Sequence, residues 1–126
     1  MKNFKLKTDG GCYVIAEAGL NHNGSIGIAR NLIDVAAVAG ADAVKFQKRT
    51  VSKLAVKTTL DAPDERFPAF GKTYREIREY LEFSADQYLE LKNYSESKGL
   101  DFMVTAFDID AVDFLEELGV ENYKLA

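Results

Sequence analysis

The sequence predicts a parallel α/β fold, and two observations carry that expectation. Short apolar runs rich in strand formers alternate with longer stretches whose apolar residues recur at helical spacing. Most of the links between them are short, which sets successive strands side by side and parallel, joined by right-handed crossovers.

Residues 1–11 are polar and end in Gly10-Gly11, so they are expected to form a flexible lead-in. Cys12 to Ala16 (CYVIA) is the first strand, ending toward Glu17 and Gly19. The stretch Asn21-His22-Asn23-Gly24-Ser25 is dense in turn residues, and Ser25 suits the N-cap of a helix. Ile28, Ala29, Leu32, Ile33, Val35, Ala36 and Ala39 supply that helix's apolar period, and Gly40 stops it. Ala41 to Gln47 is the second strand. Residues 48–72 hold both prolines and no sustained period, so they read as a long loop. A helical pattern resumes near Thr73, and Ser84 caps a second helix that runs to Lys98-Gly99. Asp86, Glu90, Lys92, Glu96 and Lys98 read as its solvated charged face. Leu100 to Thr105 is the third strand, Ile109 to Leu118 a helix closed by Gly119, and Val120 to Leu125 the fourth strand.

Composition removes several functional classes. The chain has 126 residues, 47% hydrophobic and 29% charged, enough for one core. Sixteen basic against twenty acidic side chains leave a net charge of −4, without the basic excess of a general nucleic-acid or membrane-surface binder. No run is long and apolar enough to span a bilayer, and no apolar segment follows the first lysines as in a signal peptide. Cys12 stands alone and reads as a small buried hydrophobe. His22 is the one histidine and reads as an ordinary turn residue rather than a metal ligand. These features describe a soluble, cytoplasmic domain with no structural metal, no nucleic-acid partner and no membrane partner.

Side chains alternate faces along a strand. Tyr13, Ile15 and Glu17 share one face, as do Ala41, Ala43, Lys45 and Gln47, then Asp101, Met103 and Thr105, then Asn122 and Lys124. Each strand thus carries a polar group near its C-terminal end, where parallel α/β sheets and barrels bind ligands. Two lysines and a hydroxyl suit a small anion such as a phosphate or carboxylate, and Glu17 could move protons beside it. Taken singly, each has a plainer role: a strand-end lysine is usually a solvated charge, Thr105 is a good strand former, and Glu17 could pair locally. The repetition on successive strands is what points to a site.

Four segments carry a specific resemblance: IAEAGLNHNG at 15–24, GADAVKFQ at 40–47, SKGLDFMVTAFD at 97–108 and FLEELGVENYKLA at 114–126. In this order and spacing they resemble the N-terminal part of the sialic acid synthase family, which makes N-acetylneuraminate, legionaminate, pseudaminate and spore-coat sugars. The resemblance implies a (β/α)8 TIM-type barrel, of which this chain supplies the first half, about four strands. It implies a transferase that condenses phosphoenolpyruvate with an N-acylated amino sugar such as N-acetylmannosamine and releases phosphate. It also implies a divalent metal, manganese or magnesium, whose histidine ligands lie on later strands outside this chain.

By the same resemblance, Lys45 and Lys124 fall on the lysines that hold phosphoenolpyruvate, and Thr105 on a hydroxyl that contacts it. Glu17 falls on the acid/base glutamate and Gln47 on a group lining the sugar side. Two positions depart from the usual pattern: Lys48 stands where a threonine commonly follows KFQ, and Ala106 where a proline commonly follows the threonine. A rival reading is a non-catalytic or degenerate fragment that binds an anion or sugar; another is a related synthase with a different sugar. The isolated chain is expected to be inactive and to associate, as a homo-oligomer, through its open sheet.

Overall fold

The computed structural model describes residues 11–126, so the lead-in expected over 1–11 lies outside the described residues except for Gly11. Four strands form one sheet in chain order: β1 (Ile15–Gly19), β2 (Ala43–Lys48), β3 (Asp101–Ala106) and β4 (Asn122–Leu125). Every neighbouring pair is parallel. Because the strand order never reverses, right-handed crossovers lay their helices on one face of the sheet. These are α1 (Ile26–Val38) between β1 and β2, α4 (Ala85–Ser97) before β3, and α5 (Ile109–Glu117) between β3 and β4.

The core lies between that face and the helices. Val44, Phe46, Phe102 and Val104 point into it from the sheet and meet Ala29, Ile33 and Ala36 of α1, Tyr88 and Leu91 of α4, and Leu115 of α5. Ile33, Val44, Leu91, Val104 and Leu115 are completely buried. Each such aliphatic side chain contributes about 2 kcal/mol through burial.

Helix starts follow the side chains that cap them. Ser25 Oγ accepts from the Ile28 N–H at 3.3 Å, Ser84 and Gln87 form a reciprocal capping box, and Asp108 accepts from the Ala111 N–H at 2.8 Å. Gly24, just before the first cap, has φ 72°, and a Cβ there would fall 2.6 Å from the Tyr80 carbonyl oxygen. Only glycine fits that approach.

Three details differ from the sequence reading. The first strand lies later, over Ile15–Gly19 instead of 12–16. Pairing decides this: Val14 accepts from the Asp42 N–H at 2.8 Å at the mouth of the ladder, and β2 then extends alongside as far as Gly19. Cys12 therefore precedes the sheet and is exposed, not a buried hydrophobe. The charged face expected on the helix after Ser84 is partly an interhelical seam. Its Glu90 accepts from Arg30 at 3.2 Å, and Lys98 lies 2.7 Å from Asp34, both partners being on α1.

The segment after β2 is more organised than an aperiodic run suggests. Lys48 belongs to β2, and a 3-10 turn (Val51–Lys53) and the one-turn helix α2 (Lys57–Leu60) follow. Buried Val51 and Leu60 anchor these pieces. An isolated antiparallel bridge between Pro63 and Thr73 then closes a finger ahead of α3 (Tyr74–Leu81).

Candidate functional site

The strand register brings the polar positions together on the sheet face opposite the helices. Glu17 pairs with Lys45, Gln47 with Thr105, and Thr105 with Lys124. All five lie toward the C-terminal ends of their strands. Thr105 is buried, Lys45 and Gln47 are partly covered, and Glu17 and Lys124 are exposed.

Lys45 is the centre of the array. Its Nζ donates to Glu17 Oε2 and to Thr105 Oγ1, the latter at 3.3 Å. An ammonium has three N–H donors, so one remains. Thr105 accepts this bond through a lone pair, leaving its own O–H to donate elsewhere. The array therefore offers an anion a charged donor and a hydroxyl donor, and Lys124 stands one strand spacing away, about 4.8 Å.

Glu17 and Gln47 close the other side around Gly19. A Cβ built on Gly19 would stand 3.1 Å from Glu17 Oε1 and 3.3 Å from Gln47 Nε2, and its φ is 55°. The absent side chain leaves room for a carboxylate oxygen and an amide nitrogen to face one small space. Glu17 Oε1 is the oxygen that Lys45 does not take.

The polar groups beneath and beside this array escaped sequence reading. Lys48, next to Gln47, points to the helix side, where its Nζ lies 3.1 Å from Glu82 Oε2 and over the Tyr88 and Phe114 rings. Burial pushes the Glu82 carboxyl above its ordinary range, against the pull of Lys48. The Tyr88 hydroxyl donates to the Gln47 carbonyl at 2.6 Å, fixing the backbone under Gln47. Arg49, 8% exposed, donates from Nη2 to Gln47 Oε1 and stacks its guanidinium 3.8 Å over the Phe107 ring. Asp108 also accepts from the Thr50 N–H at 2.7 Å, tying together the segments that leave β2 and β3. For Arg49 a signal existed: it lies two residues past Gln47, on the same face if the chain stays extended. Lys48 and Glu82 are 34 residues apart and had none.

His22 lies in the turn after β1 but is buried, stacked 4.2 Å from the Phe83 ring. Its Nδ1 accepts from the Gly24 N–H at 3.1 Å, and burial lowers its pKa to about 4. It is a neutral packing residue. Among the described residues no group of three or more His, Cys, Asp or Glu side chains could hold a metal ion. The described residues thus supply no complete ligand set of their own for the metal that the resemblance implies. An open cleft of about 660 Å³ in the finger, lined by Thr59, Pro63, Arg66 and Tyr74 among others, shares no residue with the array. No helix among the described residues is long and apolar enough to cross a membrane.

A parallel sheet wound in one direction, with helices on one face and an anion-suited cluster on the other, defines a partial β/α barrel with a candidate site at the strand ends. The chain belongs to the NeuB family, which matches residues 32–126. That match includes Lys45, Gln47, Thr105 and Lys124; Glu17 precedes it. The chain is 41% identical over 114 residues to human N-acetylneuraminate-9-phosphate synthase, covering 90% of this chain and 32% of that protein. It is 40% identical over 115 residues to the N,N'-diacetyllegionaminic acid synthase of Legionella pneumophila, again covering 90% of this chain and 32% of that one. Its fold is similar to the crystal structure of N-acetylneuraminic acid synthetase from Leptospira borgpetersenii in complex with citrate. The TM-score is 0.73 at 32% identity, covering 99% of this chain and 39% of that structure. The chain spans about a third of the length of these relatives.

Proposed function

We propose that this chain forms the first part of a synthase barrel that condenses phosphoenolpyruvate with an N-acylated amino sugar. C3 of phosphoenolpyruvate attacks the aldehyde carbon of the open-chain sugar. Water adds at C2, and inorganic phosphate leaves as the keto acid forms. Lys45, Thr105 and Lys124 hold the charged groups of phosphoenolpyruvate, and Glu17 handles a proton during attack or during collapse of the tetrahedral intermediate. Gln47 lines the sugar side.

The observation that carries this reading is Lys45, held between Glu17 and Thr105 with one donor to spare. It places a fixed positive charge, a hydroxyl and a carboxylate within one small space, which an anionic substrate undergoing proton transfer requires. The described residues supply no ligand set for the divalent metal, so its ligands are assigned to other parts of the protein and no step is built on it. Phosphoenolpyruvate is a cytoplasmic metabolite, and that is the compartment this reading assigns. β1 and β4 are the edges of the described sheet. Their open backbone groups must be covered by further strands or a second copy, so the isolated chain is expected to associate and to lack turnover.

The relatives named for different sugars are almost equally similar, so the class of substrate stops at N-acyl amino sugars, their 6-phosphates included. The test is phosphate release from phosphoenolpyruvate by a protein in which this chain is followed by the rest of the barrel, assayed over a panel of such sugars. Lys45→Ala and Lys124→Ala should each abolish turnover. Wild-type kcat/KM in both variants would sink the assignment.

A further inference from the structure

We propose that Arg49 is a positioning residue for Gln47: it fixes the carboxamide so that Gln47 presents only N–H donors to the bound sugar. For its consequence, though not for its geometry, this rests on the synthase reading of Gln47.

The chemistry of the pair sets the direction. A guanidinium can donate and cannot accept, so the amide atom facing it must be Oε1. The Nε2 group is then turned toward Gly19 and Glu17, where it lies 3.3 Å from the Cβ that Gly19 lacks. Rotating the amide would oppose two sets of donors and break a charge-assisted bond. The guanidinium charge against Oε1 also polarises the amide and strengthens its N–H donors.

Arg49 is itself held in place. Its guanidinium is clamped on the Phe107 ring at 3.8 Å. Its backbone N–H points to Glu82 at 3.4 Å, on the same carboxylate oxygen that Lys48 engages. Glu82 is thus committed to Lys48 and to the backbone. Nη1 is buried with no hydrogen-bond partner among the described residues. Burial and the neighbouring Arg78 both pull the Arg49 pKa down. A purely structural arginine would be expected to sit opposite a carboxylate. This one spends its best-placed donor on a neutral amide in the site, and that choice is explained by the orientation it imposes.

The ligand group that Gln47 recognises is then an acceptor oxygen, the N-acyl carbonyl or a hydroxyl of the sugar, and not a donor such as a free ammonium. Two measurements separate this inference from the synthase reading. In the complete synthase, R49M should raise the KM for the sugar about tenfold, the loss of one oriented hydrogen bond, and leave the KM for phosphoenolpyruvate unchanged. R49K, with its charge but no planar fork, should fall between. In the same complete protein, the Gln47 side-chain amide protons should show nuclear Overhauser contacts to Gly19 and none to the Phe107 ring, and should lose that preference in R49M. An unchanged sugar KM in R49M, or amide contacts that do not respond to it, overturns the positioning role. Wild-type protein without turnover sinks the synthase reading instead, and the amide contacts still decide the orientation.

Discussion

Lys48 Nζ stands 3.1 Å from Glu82 Oε2, with side chains 14% and 12% exposed, so the last residue of β2 is paired with the residue that ends α3. This pair sits directly behind Gln47 and holds the exit of β2 against the helices. Removing one partner leaves the other charge buried. Glu82→Gln should therefore cost about 3–5 kcal/mol in urea unfolding, whereas Lys48→Met with Glu82→Leu should cost much less than Glu82→Gln alone. A double variant as unstable as Glu82→Gln would show that the segment depends on packing and not on the pair.

His22 makes stability depend on pH in a defined window. Its pKa falls from 6.5 when unfolded to about 4 when folded, because burial disfavours the charged ring. The unfolded chain thus binds the proton more readily, and the stability His22 contributes is complete above pH 6.5 and is lost as pH falls toward 4. Between pH 7 and 4.5 this amounts to about 2–3 kcal/mol. His22→Phe, which keeps a ring against Phe83, should lose that much less stability over the same interval. Equal losses in the two proteins would remove His22 as the source.

Two glycines separate backbone conformation from steric contact. Gly40 and Gly24 have φ 77° and 72°, but a Cβ on Gly40 meets nothing within 4 Å, whereas one on Gly24 meets the Tyr80 carbonyl oxygen at 2.6 Å. Gly40→Ala should cost about 1 kcal/mol, the cost of the left-handed backbone alone. Gly24→Ala should cost about 3 kcal/mol or more, since the turn must also move off α3. Thermal melts of both variants check this, and equal shifts would mean that the Gly24 turn yields freely.

The clustered positions were legible because period-two alternation needs no knowledge of the rest of the fold. Glu17, Lys45, Thr105 and Lys124 fall on one face in any parallel pairing that aligns the strand ends, and the observed register does so. Cys12 and the limits of β1 were not legible, since CYVIA has the stronger local strand preference and only pairing with β2 moves the strand to IAEAG. The same holds for Lys48 with Glu82. Their contact depends on the path of residues 49–73, where isolated anchors such as Val51 and Leu60 replace a periodic pattern. Arg49 was half legible: its place two residues past Gln47 puts it on the same face of an extended chain, but nothing local fixes its guanidinium against the Gln47 carboxamide.

Thr105 offers the sharpest separation of site chemistry from fold. It is 3% exposed and its Oγ1 accepts from Lys45 Nζ at 3.3 Å, while Lys45 keeps Glu17 as a second partner. Thr105→Val keeps the branched shape on a central strand and deletes the hydroxyl. Stability should change by no more than about 1 kcal/mol, because Lys45 remains paired. On the proposed synthase reading, the KM of the complete protein for phosphoenolpyruvate should rise about tenfold, since one donor to the anion is lost and Lys45 is less firmly aimed. Thr105→Ser, which restores the hydroxyl without the methyl group, should recover most of that affinity. Steady-state kinetics at saturating sugar, with thermal melts of the same proteins, distinguish the outcomes. A Thr105→Val protein with the wild-type KM for phosphoenolpyruvate would place the anion elsewhere on the sheet, toward Lys124 and away from the Lys45 centre.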